Sequence, residues 1–117
     1  MRPLTVIYKQ FDIVVVPFPF TDINASKRRP ALILSDDRAF NTPVGHSVMA
    51  MITTASHSSW ALDVVIAGLK SAGLNAPSIV RMKLFTLDQN LVRQQIGHLT
   101  AADQSAVKES INILFGL

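Results

Sequence analysis

Phe11 to Ser35 reads FDIVVVPFPFTDINASKRRPALILS, and the reading of this stretch decides the fold. It sets two apolar runs on either side of a polar loop that closes on Arg28-Arg29-Pro30. The first run, Ile13 to Phe20, has the Val and Phe content of a strand, interrupted by Pro17 and Pro19. Proline cannot donate to a ladder, so the strand is expected to end or to reach a sheet edge there. The second run, Ala31 to Leu34, is a short apolar strand. Between them Thr21-Asp22-Ile23-Asn24-Ala25-Ser26-Lys27 is turn chemistry followed by cationic chemistry. Pro30 biases Arg29 towards extended backbone, so a guanidinium is delivered at the mouth of a strand, beside a loop.

Outward from this stretch the chain continues mainly as β. Ser47 to Thr54 alternates Val48, Ala50 and Ile52 against Ser47, Met49, Met51 and Thr53, with both faces fairly apolar. Ala61 to Ile66 places Leu62, Val64 and Ile66 on one face and Asp63 on the other. Ser78 to Leu87 alternates Ile79, Arg81, Lys83 and Phe85 against Val80, Met82, Leu84 and Thr86. Asp88-Gln89-Asn90 reads as a hairpin turn, with a return strand over Leu91 to Leu99. A single helical turn is expected over Asp36 to Asn41. A helix is expected over Thr100 to Phe115, with Thr100 as cap, Asp103 in the first turn, a stripe of Val107, Ile111 and Leu114, and Gly116 as stop. Leu69 to Pro77 reads as either a flap over a groove or a plain connection. Short strands with few helices point to a small barrel rather than βαβ units, closed on one side by the terminal helix.

Length allows one domain over residues 1–117 with a real core. The chain is 49% hydrophobic and 16% charged, a lean surface for its size, which points to apolar area covered by a second copy. Eleven Lys and Arg against eight Asp and Glu give a formal net charge of +3, compatible with a polyanionic partner. The absence of cysteine excludes disulfides, thiolate catalysis and zinc–thiolate sites. No apolar stretch approaches the roughly 20 residues of a membrane helix, and the N-terminus has no apolar signal core. A cytoplasmic location without membrane attachment is expected.

Five stretches, DIVVVPFPFTD, RRPALILS, ITTAS, VRMKLFTLD and IGHLTAADQSAVKESINILFGL, stand in an order that resembles the MazF/PemK family of toxin endoribonucleases. The resemblance covers nearly the whole chain. It implies an SH3-like barrel with a C-terminal helix, a homodimer, a cognate antitoxin and single-stranded RNA, above all mRNA, as substrate. It implies no cofactor and no metal, and products ending in a 2′,3′-cyclic phosphate (or 3′-phosphate) and a 5′-hydroxyl. It carries catalysis onto Arg29, which would stabilise the phosphorane and act as general acid, and onto Thr53, which would hydrogen-bond a phosphate oxygen. Two other readings belong to different classes: a toxin of the same barrel family that binds and poisons a protein such as a topoisomerase, and an inactive barrel that binds RNA or an antitoxin. Retention of Arg29 and Thr53 favours the enzyme, whereas Lys83 slightly favours the inactive barrel.

The remaining candidates follow from residue chemistry. Arginine offers a planar fork of donors matched to phosphate oxygens, but is a poor proton carrier. Lys27 and Arg28 extend the positive loop beside Arg29, and Thr54 adds a second hydroxyl next to Thr53, all three as RNA contacts. Arg81 and Lys83, two apart in a strand, share a face on which phosphates would balance them. Lys83 stands where better-known family members carry an acid, which leaves the general base open. His57, four residues after Thr53 in a polar loop, is the side chain best matched to proton transfer near neutrality. Ser56, His57 and Asp63 lack the glycine pattern of a nucleophile elbow. The histidines show no metal-ligand spacing. Trp60 and Phe20 are either base-stacking rim residues or packing residues.

Overall fold

A computed structural model describes residues 6–17, 28–56 and 58–117. Its centre is one curled antiparallel sheet of six strands: β1 (Asp12–Pro17), β2 (Arg28–Ile33), β3 (His46–Thr54), β4 (Val64–Val65), β5 (Ser78–Asp88) and β6 (Gln94–His98). Their order across the sheet is β4-β5-β3-β2-β1-β6. Helix α3 (Ala101–Phe115) packs on one face, completing a half-barrel with a terminal helix. Two very short helices, α1 (Thr42–Val44) and α2 (Leu69–Ala72), sit in the connections.

The apolar alternation seen in the sequence feeds two cores. Ile13, Leu32, Ala50, Ile52 and Val80 point towards α3 and its fully buried Val107. Val14, Val16, Ala31, Ile33 and Met49 point the other way, where Tyr8, Phe85 and Leu87 join them. This is why both sides of β3 are apolar: its two faces serve separate clusters.

Three connections differ from the sequence expectation. Asp88–Asn90 does not turn a hairpin. Gln89–Leu91 forms a 3₁₀ turn, Arg93 N–H donates to the Val15 carbonyl at 2.8 Å, and β6 then pairs with β1 at the far edge. A local alternation cannot tell which strand will capture the return. The helical turn after Asp36 is π-type over Asp37–Asn41, with the Asp36 carboxylate accepting the Arg38 and Ala39 N–H groups, and it runs on through α1. The stretch 69–77 is a docked connection, because α2 lies against β6. Added Cβ atoms on Gly73 and Gly97 would strike the Ile96 and Ala72 backbones respectively, so glycine is what permits this approach.

Helix α3 begins and ends as expected. Thr100 accepts the Asp103 N–H at 3.3 Å, and Gly116 closes the helix at φ 71°. Its buried face runs through Asp103, Val107 and Ser110, whereas the expected stripe member Leu114 is 38% exposed. Asp103 is buried because its carboxylate accepts the Ala67 and Gly68 N–H groups at 3.1 and 2.9 Å, which ties the helix to the segment entering α2.

Candidate functional site

The site begins at Pro30. The β2–β3 ladder runs over Ala31↔Met51, Leu32↔Ala50 and Ile33↔Met49, then stops. Proline has no N–H to carry it further. Beyond that point β2 is paired on its β1 side alone, with Arg29 opposite Val16 and Arg28 opposite Pro17. β3 meanwhile continues to pair with β5 through Thr53↔Ile79 and Thr54↔Ser78. The two strands therefore part where Arg29 and Thr53 would have met, and a pocket of about 100 Å³ fills the gap. Arg29, Pro30, Ile52, Thr53, Thr54 and Ser78 line it.

Arg29 and Thr53 lie on the sheet face opposite α3. Arg29 follows the alternation of Ala31 and Ile33, and Thr53 that of Met49 and Met51. Thr53 is buried, whereas the Thr54 hydroxyl reaches Ser56 Oγ at 3.1 Å. The Nε of Arg29 is buried and has no hydrogen-bond partner among the described residues. An unmatched cationic donor out of water is costly unless a ligand completes it. The pocket thus combines a guanidinium with an unmet donor and two threonine hydroxyls, a donor set suited to phosphate oxygens.

The sequence candidates divide around this pocket. Arg29, Thr53 and Thr54 come together in it. Arg28 is exposed at the start of β2, one residue away. Lys27, His57 and Phe20 lie outside the described residues. Among the described residues no three His, Asp or Glu side chains converge as a metal site would require.

Arg81 departs from its expected role as an RNA contact. It is buried, and its guanidinium forks onto Asp63, Nε to Oδ1 at 3.2 Å and a terminal nitrogen to Oδ2 at 3.0 Å. The same terminal nitrogen donates to the Ser58 carbonyl at 2.5 Å, and the group lies 4.9 Å over the centre of the Trp60 ring. Asp63 also accepts the Trp60 N–H at 2.8 Å. Burial by itself would raise the Asp63 carboxyl. The hydrogen bonds from Arg81 and from the Trp60 N–H, with the charge of Arg81, outweigh that and hold it below its ordinary range. Asp63 is accordingly a partner of Arg81 rather than the third member of a hydrolase triad. Lys83 does not accompany Arg81 in the ladder, because Leu84 faces Ala50 and Arg81 faces Met51, leaving Met82 and Lys83 in a bulge.

What sequence reasoning missed here is the joining of Asp63 and Trp60 to Arg81. The signal was present in the β4–β5 register: Val64 opposite Val80 brings Asp63 beside Arg81. His98 forms a separate pair at the other edge, its Nδ1 2.8 Å from Asp12 Oδ1.

Comparison with known proteins agrees with this fold. The family model described as PemK-like, MazF-like toxin of type II toxin–antitoxin system matches residues 9–115. Among solved structures the Mycobacterium tuberculosis toxin MazF-mt6 is 29% identical at a TM-score of 0.71, covering 91% of this chain and 97% of that one. A chain of the MazE–MazF complex of Deinococcus radiodurans is 20% identical at 0.75, covering 96% and 99%. An endoribonuclease in complex with its cognate antitoxin, from a mycobacterial species, is 16% identical at 0.73, covering 94% and 96%. At such low identities the last two show the fold alone. No curated sequence matches the chain.

Proposed function

Because the chain belongs to the PemK-like, MazF-like toxin family of type II toxin–antitoxin systems, we propose that it is an endoribonuclease that cleaves single-stranded RNA, mRNA in particular, through the substrate's own 2′-hydroxyl. The observation that carries this reading is the buried, unmatched Nε of Arg29 beside Thr53 and Thr54. Attack by the 2′-hydroxyl on its neighbouring phosphorus needs no protein nucleophile, since the ribose already holds the two close. What the protein must supply is stabilisation of the crowded phosphorane. Arg29 does this with a preorganised donor fork, and Thr53 and Thr54 hold the remaining oxygens. His57 is the proton carrier on this reading, with Lys27, Arg28 and Lys83 steering the strand by charge.

Two partners complete the proposal. The first is a second copy of the chain. The end of α3 leaves Ile113, Phe115 and Leu117 exposed at 60, 59 and 89%, and an apolar hollow of about 250 Å³ opens between this helix and Leu34, Val48 and Leu84. So much uncovered apolar area on a small chain is suited to self-association. The second is a cognate antitoxin, the kind of partner with which relatives of the same fold have been solved.

The test is cleavage of a long RNA in excess chelator, alongside a substrate carrying a single deoxyribose 5′ to the mapped cut. Cleavage should persist with chelator and stop at the deoxy position, with binding nearly unchanged. A reaction stopped by chelation and restored by metal would overturn the mechanism, as would equal cutting of the deoxy substrate.

A further inference from the structure

Trp60 is not placed as a packing residue. The sequence allowed it to pack at the start of β4, but it belongs to neither core and is 46% exposed. It is nevertheless fixed. Its backbone N–H donates to the Asp63 carboxylate at 2.8 Å, its backbone carbonyl accepts the Asp63 N–H at 3.4 Å, and the Arg81 guanidinium lies over its ring. The turn between Trp60 and Asp63 also keeps Leu62 at φ 70°, in the left-handed region that favours glycine. Strain of this kind persists where the surroundings over-determine the backbone. A desolvated Arg–Asp fork and a strained turn thus converge on holding one exposed indole.

We propose that the uncovered face of Trp60 is a nucleobase-stacking subsite, with Arg81 and Asp63 as the residues that position it. The proposal rests on the RNA reading above and adds a contact to it. Three observations carry it. First, the ring is backed by a guanidinium and is 46% exposed, the arrangement of a stacking platform for a flat base. Second, the platform shares the sheet face of the Arg29 pocket. Arg81 lies opposite Met51, two residues before Thr53 in β3, and β2 flanks β3 on its other side. Arg81 and Arg29 thus lie on the two sides of β3 on one face, so a single strand crossing β3 there passes both. Third, Arg81 is buried and its Nε and one terminal nitrogen are committed to Asp63 and Ser58, which leaves only part of its fork for phosphate. Its contribution to RNA binding therefore runs mainly through the ring.

Trp60 is the chain's single tryptophan, so its emission reports this site without labelling. The probe is a random-sequence pool of single-stranded 2′-O-methyl RNA, which offers bases and phosphates but no attacking hydroxyl. Inorganic polyphosphate is the base-free control. The pool should quench the emission and polyphosphate should not. Trp60→Ala should weaken pool binding, read by anisotropy, about 5- to 100-fold, the range for one base–aromatic stack. Trp60→Phe should recover most of that loss, and polyphosphate affinity should not change in either variant. Binding of the pool with unchanged emission, or full affinity in Trp60→Ala, would overturn the subsite and leave the RNA reading intact. So would a Trp60→Ala chain that keeps its affinity but sediments as a smaller species, which would assign the ring to self-contact. If the wild type fails to bind the pool by either measure, the subsite and the RNA reading fall together.

Discussion

Two arginines of this molecule lie on one face of one sheet and have opposite fates. Arg29 stands where the β2–β3 ladder stops, with a buried Nε that has no partner among the described residues. Arg81, one strand beyond β3, has a carboxylate fork, a carbonyl and an aromatic ring around it. Arg81 is buried whole and Arg29 at its Nε, and in sequence both look like cations available to a polyanion. The difference is what each neighbourhood leaves undone. At Arg81 the protein has completed the charge itself, and the product is a rigid turn. At Arg29 the described residues leave Nε unmet, and on the proposed reading a ligand completes it. If the proposed function holds, partner state separates these two arginines better than exposure does.

The strongest way to break this contrast is to remove the completed member. Arg81→Ala leaves the Asp63 carboxylate at its low exposure with its main partner gone, which costs about 3–5 kcal/mol of stability. Urea unfolding should show it as a large drop in midpoint. Replacing both members with apolar residues of similar size should recover most of the loss, since the pair's desolvation then disappears with it. A single variant as stable as the wild type would mean that the clamp holds nothing.

Removing the uncompleted member should act on rate instead. Arg29→Ala takes away a donor that makes no internal hydrogen bond at Nε, so the unfolding midpoint should stay close to wild type. RNA cleavage should fall about 100-fold or more, equivalent to roughly 2.7–4 kcal/mol of transition-state stabilisation. Arg29→Lys should not restore it, because a point charge lacks the planar fork. If Arg29→Ala unfolds easily and cuts normally, the two arginines have been assigned the wrong way round.

Much of this molecule was legible along the chain and much less of it across the chain. The strands of Phe11 to Ser35, the apolar period of β3 and β5 and the Thr100 cap are local signals. Pro30 is local too, but its sequence reading reaches only the extended backbone of Arg29; that its missing N–H ends the ladder beside β3 shows in the register. The far-edge placement of β6 was hidden, because which strand receives it depends on Val15 capturing Arg93 from 78 residues away, the difference of their two numbers. The bulge that separates Lys83 from Arg81 was hidden for a like reason: period two reads faces within a strand and is blind to slippage against its partner. Asp63 and Arg81 were each visible, one as a lone acid opposite an apolar face and the other as a cation in a strand. Joining them required the β4–β5 register.

The smallest effect expected is a flat line, and it tests the same contrast through pH. Asp63 is held below its ordinary carboxylate range by Arg81 and the Trp60 N–H despite burial. A carboxyl whose folded value lies below its unfolded one, near 3.9, contributes stability that is fully present above the unfolded value. That contribution is lost as pH falls through the folded value. The clamp is therefore complete from about pH 5 upward, and Trp60 emission in the free protein should not change between about pH 5 and 9. It should shift only in acid, below about pH 4, as Asp63 takes a proton and releases Arg81. Asp63→Asn should remove that acid step from the emission curve at the expense of stability across the whole range. A midpoint near neutrality in the wild type would place a histidine rather than Asp63 in control of the ring, and the completed arginine would lose its carboxylate as the explanation.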